Sequence, residues 1–133
     1  MVPTYPQSNF ALLAARILMA VLFVLSGVGK IADVAGTAGY ISSIGLPGSL
    51  LVWPAIIAEL GGGLLILIGF QTRLVALFMA IFTIVLALLF HRNFGVMEQM
   101  INFLKNLGIA GGFLALMVAG AGDWSVDGAR GQE

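Results

Sequence analysis

Four long apolar runs, separated by short polar breaks, make up most of the chain. They cover about residues 10–31, 50–70, 73–91 and 101–121. Each approaches or exceeds the roughly 20 residues that a helix needs to cross the hydrocarbon core of a bilayer. The pattern predicts an all-α integral membrane protein, a four-helix bundle, with residues 1–133 forming a single transmembrane domain. A cleaved signal peptide is the rival reading of the first run. Against it, no Lys or Arg precedes the run and Arg16 lies inside it.

The breaks predict how the runs connect. Residues 1–9 hold two prolines and no charge, and read as a poorly ordered arm. Residues 33–48 are rich in Gly and Ser and carry the turn signal Gly45-Leu46-Pro47-Gly48. They leave room for a short interfacial helix with Tyr40 at headgroup level. Gln71-Thr72-Arg73 is so brief that the second and third spans must be antiparallel neighbours. Residues 93–100 are mildly amphipathic and read as interfacial. Trp53 and Trp124, near span ends, read as aromatic-belt anchors. Glycines in spans two and four are candidates to pack on one another.

Composition narrows the chemistry. The chain is 60 % hydrophobic and 9 % charged, whereas a soluble domain carries about a quarter charged residues. Mean hydropathy is +1.08. Six basic and six acidic residues balance, so nothing points to nucleic acid, and the solvent is the lipid bilayer. Cysteine is absent, which excludes thiol chemistry and cysteine-ligated iron–sulfur clusters. One histidine excludes a bis-histidine haem within one copy, and no metal site is expected. Gly61-Gly62-Gly63 lies in an apolar run without the strand–turn–helix setting of a phosphate loop.

Against this background the few polar residues stand out. Glu59 falls half-way along the second run, where a lone carboxylate is costly and faces the bundle interior. On a helix, Arg16, Ala20, Phe23, Gly27 and Lys30 form one stripe; so do Ala55, Glu59, Gly62, Gly63 and Ile66. Ala76, Ala80, Thr83, Ala87 and His91 form the third stripe, and Lys105, Gly108, Gly112, Ala115 and Ala119 the fourth. All four are expected to face inward. Lys30, Leu50, His91 and Met100 are taken to mark one membrane face, the loop face. At about 1.5 Å per residue, Glu59 lies about 13 Å in from it, Lys105 about 7 Å and Arg16 about 21 Å. Two partners for Glu59 follow, Arg16 and Lys105. Arg16 is favoured because a guanidinium matches a carboxylate with two hydrogen bonds. Lys105, His91 and Lys30 would line the mouth, with Asn106 beside them. Structural pairing of helices and snorkelling of bases to headgroups are the plainer readings of the same residues.

Arg16, Ser26-Gly27-Val28-Gly29-Lys30, Gly45-Leu46-Pro47, Glu59-Leu60-Gly61-Gly62, Leu67-Ile68-Gly69-Phe70-Gln71-Thr72-Arg73, Phe90-His91, Leu104-Lys105-Asn106-Leu107, Gly111-Gly112 and Ser125-Val126-Asp127 occur in that order. In this ordered set the chain resembles the DoxX family of small bacterial and archaeal membrane proteins. The resemblance implies a four-helix protein of the bacterial cytoplasmic (inner) membrane. It also implies association with membrane redox systems, since the family takes its name from a small subunit of a thiosulfate:quinone oxidoreductase.

Two functions are therefore expected as alternatives. In the first, the chain is an accessory subunit of a quinone-linked redox system, with a membrane or peripheral redox partner. Quinone is then the expected cofactor, with no haem or iron–sulfur cluster. Glu59, Arg16, Lys105 and His91 are nominated for chemistry, and Arg16, Lys30, Glu59, His91, Lys105 and Asn106 for ligand binding. In the second, the chain is a small-molecule or ion transporter, or a structural scaffold, for which a homo-oligomer is the natural form. Both ends of the chain share one side of the membrane. Arg73 and Arg130 on that side balance Lys30 and Arg92 on the other, so basic residues do not orient it. General frequency alone favours cytoplasmic termini.

Overall fold

The computed structural model describes residues 6–131. Its elements are helices throughout: α1 (Pro6–Ala32), α2 (Val34–Ser42), α3 (Gly48–Ile68), α4 (Thr72–Phe90), α5 (Met97–Ala119) and the single turn α6 (Val126–Ala129). Four of them, α1, α3, α4 and α5, are long and apolar enough to cross a membrane. Of the arm expected over 1–9, residues 1–5 lie outside the described residues. Residues 6–9 are the first turn of α1, opened by Pro6, whose missing N–H costs nothing there. The amphipathic stretch expected before the fourth span is partly absorbed into it, since α5 begins at Met97.

The connector holds the expected short helix. Asp33 caps α2 by accepting a hydrogen bond from the Gly36 N–H at 3.0 Å. A Cβ on Gly48 would lie 1.8 Å from the Ala38 carbonyl oxygen, so glycine is what lets α2 lie on the start of α3. Tyr40 is half exposed and stacks on Phe90, ring centroids 5.2 Å apart, which ties α2 to the end of α4. The α3–α4 turn is as short as expected but lies two residues earlier, at 69–71, with Thr72 and Arg73 already in α4. Gly69 is left-handed (φ 72°), its N–H and that of Phe70 return to the Leu65 carbonyl, and Gln71 is left-handed too.

Packing falls into two antiparallel pairs, α1 with α3 and α4 with α5, joined through the thinner α3–α4 contact. The α3 glycines serve this closeness. A Cβ on Gly63 would press on Val24 of α1, and one on Gly62 would meet the Met79 sulfur at 2.3 Å. The apolar core runs through Ala20, Phe23, Ile66, Met79, Ala80 and Phe113.

The inward stripes expected on α1, α3 and α4 are buried or partly buried as drawn. The stripe on α5 is not. Lys105, Gly108 and Ala115 are exposed, and the buried face carries Ala110, Phe113 and Leu116 flanked by Asn106 and Ile109. Bulk explains the rotation. Phe113 packs 5.5 Å from the Phe23 ring and fills the bundle, which small residues at those levels would leave hollow. Gly108 and Gly111 therefore meet nothing, and the expected packing of the α3 and α5 glycines on one another does not occur.

Candidate functional site

The register of α1 on α3 decides who meets Glu59. Gly27 sits against Leu60, and Gly63 against Ala20 and Val24. Lys30 is therefore level with the turn of α3 around Glu59, not with Leu50 at the helix start. The expected depth of Lys30 is corrected accordingly: α1 ends short of the loop face, and α2 covers the difference.

Glu59, 3 % exposed, takes Lys30 as its ionic partner, Nζ to Oε1 2.6 Å. Its Oε1 makes this contact by charge and accepts no hydrogen bond of good geometry. Ser26 closes a triangle. Its hydroxyl accepts from Lys30 Nζ at 2.9 Å and donates to Glu59 Oε2 at 3.0 Å. Ser26 and Lys30 are one helical turn apart on the same face, which is the sequence signal that points to Ser26. The ammonium has three N–H groups; Ser26 accepts from one and Glu59 faces the ammonium as an ion pair, which leaves N–H capacity for a further acceptor.

This triangle forms part of the wall of a cavity of about 590 Å³ in the loop-face half of the bundle. Such a volume lies within the roughly 300–1,000 Å³ typical of small-molecule sites. Phe23, Phe82 and Phe90 supply aromatic wall, and Thr83, His91 and Asn106 supply polar groups opposite Lys30. His91 Nδ1 lies 3.0 Å from the Gln99 side-chain oxygen. Asn106 Nδ2 makes a long bond, 3.4 Å, to the Thr83 carbonyl, and Thr83 turns its own hydroxyl to Met79 O. Among the described residues no three His, Asp or Glu side chains converge as a metal site would require.

Of the six residues nominated from sequence, the structure brings Lys30, Glu59, His91 and Asn106 to one cavity. Lys105 is exposed on the outer face of α5, one residue's rotation away. Arg16 is not the partner of Glu59, and the reason is local. The carbonyls at the end of a helix have no intrahelical donor and carry partial negative charge. Arg16, 1 % exposed, meets that demand for α3 by donating Nη1 to Leu67 O at 2.9 Å and Nη2 to Trp124 O at 2.5 Å. Leu67 is about 12 Å along α3 from Glu59, at 1.5 Å per residue, beyond the reach of one side chain serving both.

A second polar cluster forms around Arg16, and its key residue enters the sequence reading only within the Ser125-Val126-Asp127 piece, with no role given. Asp127 is buried and accepts from the Gln71 and Thr72 N–H groups, 2.8 Å each, capping α4. Its own N–H returns to Gly69 O at 2.8 Å. Arg73 caps the end of α5 through the carbonyls of Met117 and Val118. The polar tail thus folds back over the α3–α4 turn.

Comparison with known proteins agrees with this architecture. The family model DoxX matches residues 11–92. The inner membrane protein YqjF of Escherichia coli (strain K12) is 50 % identical over 119 residues, 90 % of this chain and 91 % of the relative. The inner membrane protein YphA of the same organism is 36 % identical over 122 residues, 87 % of each chain. No solved structure matches significantly.

Proposed function

The chain belongs to the DoxX family and is a multi-pass inner-membrane protein, and from that premise we propose that it is the ligand-binding accessory subunit of a quinone-linked redox system. The observation that carries the reading is the Lys30–Ser26–Glu59 triangle set in the wall of an aromatic-lined cavity inside the bundle. A quinone ring suits aromatic walls, and one of its oxygens suits an N–H of Lys30 that Ser26 does not take. In low dielectric that cation stabilises negative charge on the oxygen, and it is placed to deliver a proton. Glu59 and Ser26 hold the ammonium in position, and His91 and Asn106 face the opposite end of the ring. Reduction of a quinone to a quinol takes two electrons and two protons. With no cysteine and one histidine, the chain offers neither a cysteine-ligated cluster nor a bis-histidine haem within one copy, so in this reading the electrons come from a bound small molecule or a redox partner and this chain supplies the site. Residues 1–133 act as one transmembrane unit in this reading.

Titration of the purified protein in nanodiscs with decylubiquinone, alongside mass spectrometry of co-purified lipids, tests it. Lys30→Met and Glu59→Gln are expected to weaken binding about tenfold or more, equivalent to about 1.4 kcal/mol, and Lys105→Ala to leave it unchanged. Equal affinity of wild type and both site variants would overturn the proposal. Counterflow of a solute in proteoliposomes, with no quinone bound, would point instead to a transporter.

A further inference from the structure

The wall of the cavity includes residues exposed on the side of the bundle. Within the four-helix ring, α1 packs along α3 and α5 along α4, but α1 and α5 have no such pairing. They meet through Phe23 on Phe113 and Met19 beside Gly112. Toward the loop face, residues of both helices line the cavity. Leu22 and Gly29 of α1 line the cavity and are exposed at the same time, as is Asp33 at the α1–α2 junction. From α5 the wall takes Asn106 and Ile109, each part-exposed. On the loop-face side, α2 lies over the bundle and its Tyr40 ring stacks on Phe90.

We propose that this slot between α1 and α5 is a lateral portal, and that the ligand is a membrane-dissolved molecule whose polar ring enters while its hydrocarbon tail stays in the bilayer. The polarity gradient fits such a molecule. Leu22 and Ile109 lie where acyl chains lie, and Asp33 lies at the interfacial end. A water-soluble ligand would approach from the loop-face side, where Gly36, Thr37 and Tyr40 of α2 also line the cavity and the Tyr40 ring stacks on Phe90. A cavity of about 590 Å³ accommodates a ring and the first part of a tail, and a longer tail must leave through the gap. The inference rests on the binding role proposed above for the ligand's ring, but the openness of the slot to lipid stands on packing alone.

The absence of cysteine makes both parts testable in nanodiscs. For the slot, Phe82→Trp in a Trp53→Phe/Trp124→Phe background places one fluorophore in the cavity wall. Lipids brominated along the acyl chain are expected to quench it strongly compared with unbrominated lipids. Unchanged fluorescence overturns the portal whether or not any quinone binds. For the route, Leu22→Cys/Ile109→Cys is cross-linked with a reducible bifunctional thiol reagent. Decylubiquinone affinity is expected to fall about tenfold or more, the equivalent of about 1.4 kcal/mol, and to return on reduction. Full affinity with the slot bridged, together with loss of affinity when Thr37→Cys on α2 carries a bulky impermeant thiol reagent, overturns lateral entry. Quenching without quinone binding in any variant keeps the slot and removes the quinone-binding role instead.

Discussion

At the scale of residues, the two basic groups of α1 do opposite things because of what each finds at its own depth. Lys30 turns inward to a carboxylate that has no other cation among the described residues, and Arg16 turns to helix-end carbonyls. Removing one partner of a buried ion pair leaves an unpaired charge and costs about 3–5 kcal/mol, whereas removing both is far milder. The Lys30 side chain is 28 % exposed, so Lys30→Met should fall at or below the low end of that range. Lys30→Met/Glu59→Leu is expected to be more stable than the sum of the single changes implies, read as a double-mutant cycle of unfolding in mixed micelles. Strict additivity would show that the pair does not interact. Glu59 was identifiable from its isolation in an apolar run. Its partner was not, because the choice among Arg16, Lys30 and Lys105 turns on the relative height and rotation of three helices.

At the scale of elements, the ends of helices account for most of the polar contacts away from the cavity. Asp127 supplies the N-terminal cap of α4 from a distant part of the chain, while Arg16 and Arg73 serve the C-terminal ends of α3 and α5. Asp127→Ala should lower stability by about 0.5–2 kcal/mol, the usual cost of a lost cap, and Asp127→Asn should recover part of it because one side-chain oxygen still accepts. Thermal unfolding of the three proteins measures this; identical midpoints would show the cap to be idle. Gly48→Ala forces a Cβ into the Ala38 carbonyl, so α2 must lift from α3. Faster hydrogen exchange confined to residues 34–42 is the expected sign. Span positions followed from hydropathy to within a few residues, and the interfacial helix from its turn residues. The inward face of α5 did not follow from small-residue spacing. Small residues mark faces that allow close approach, but large ones fill the volume between four helices, and here Phe113 set the rotation.

At the scale of the whole molecule, four crossings put the start of α1 and the α6 tail on one side of the membrane, and α2 with the 91–96 loop on the other. Single cysteines at Ser8 and Gly131 should react together with an impermeant maleimide from one side, and a cysteine at Gly95 only from the other. Any other pairing would break the four-span topology. The sequence by itself determined the solvent, the number and order of the helices, the tight antiparallel turn and the presence of a costly buried acid. These are properties of composition and local periodicity, summed over whole runs. Only the tertiary structure decided that Lys30 and Ser26 hold that acid, that Arg16 and Asp127 secure the opposite end, and that residues of all four long helices line one cavity. Each depends on the register and rotation of one helix against another. A shift of one residue turns a helix by about 100° while hardly changing its hydropathy, so the sequence pattern carries almost no record of it.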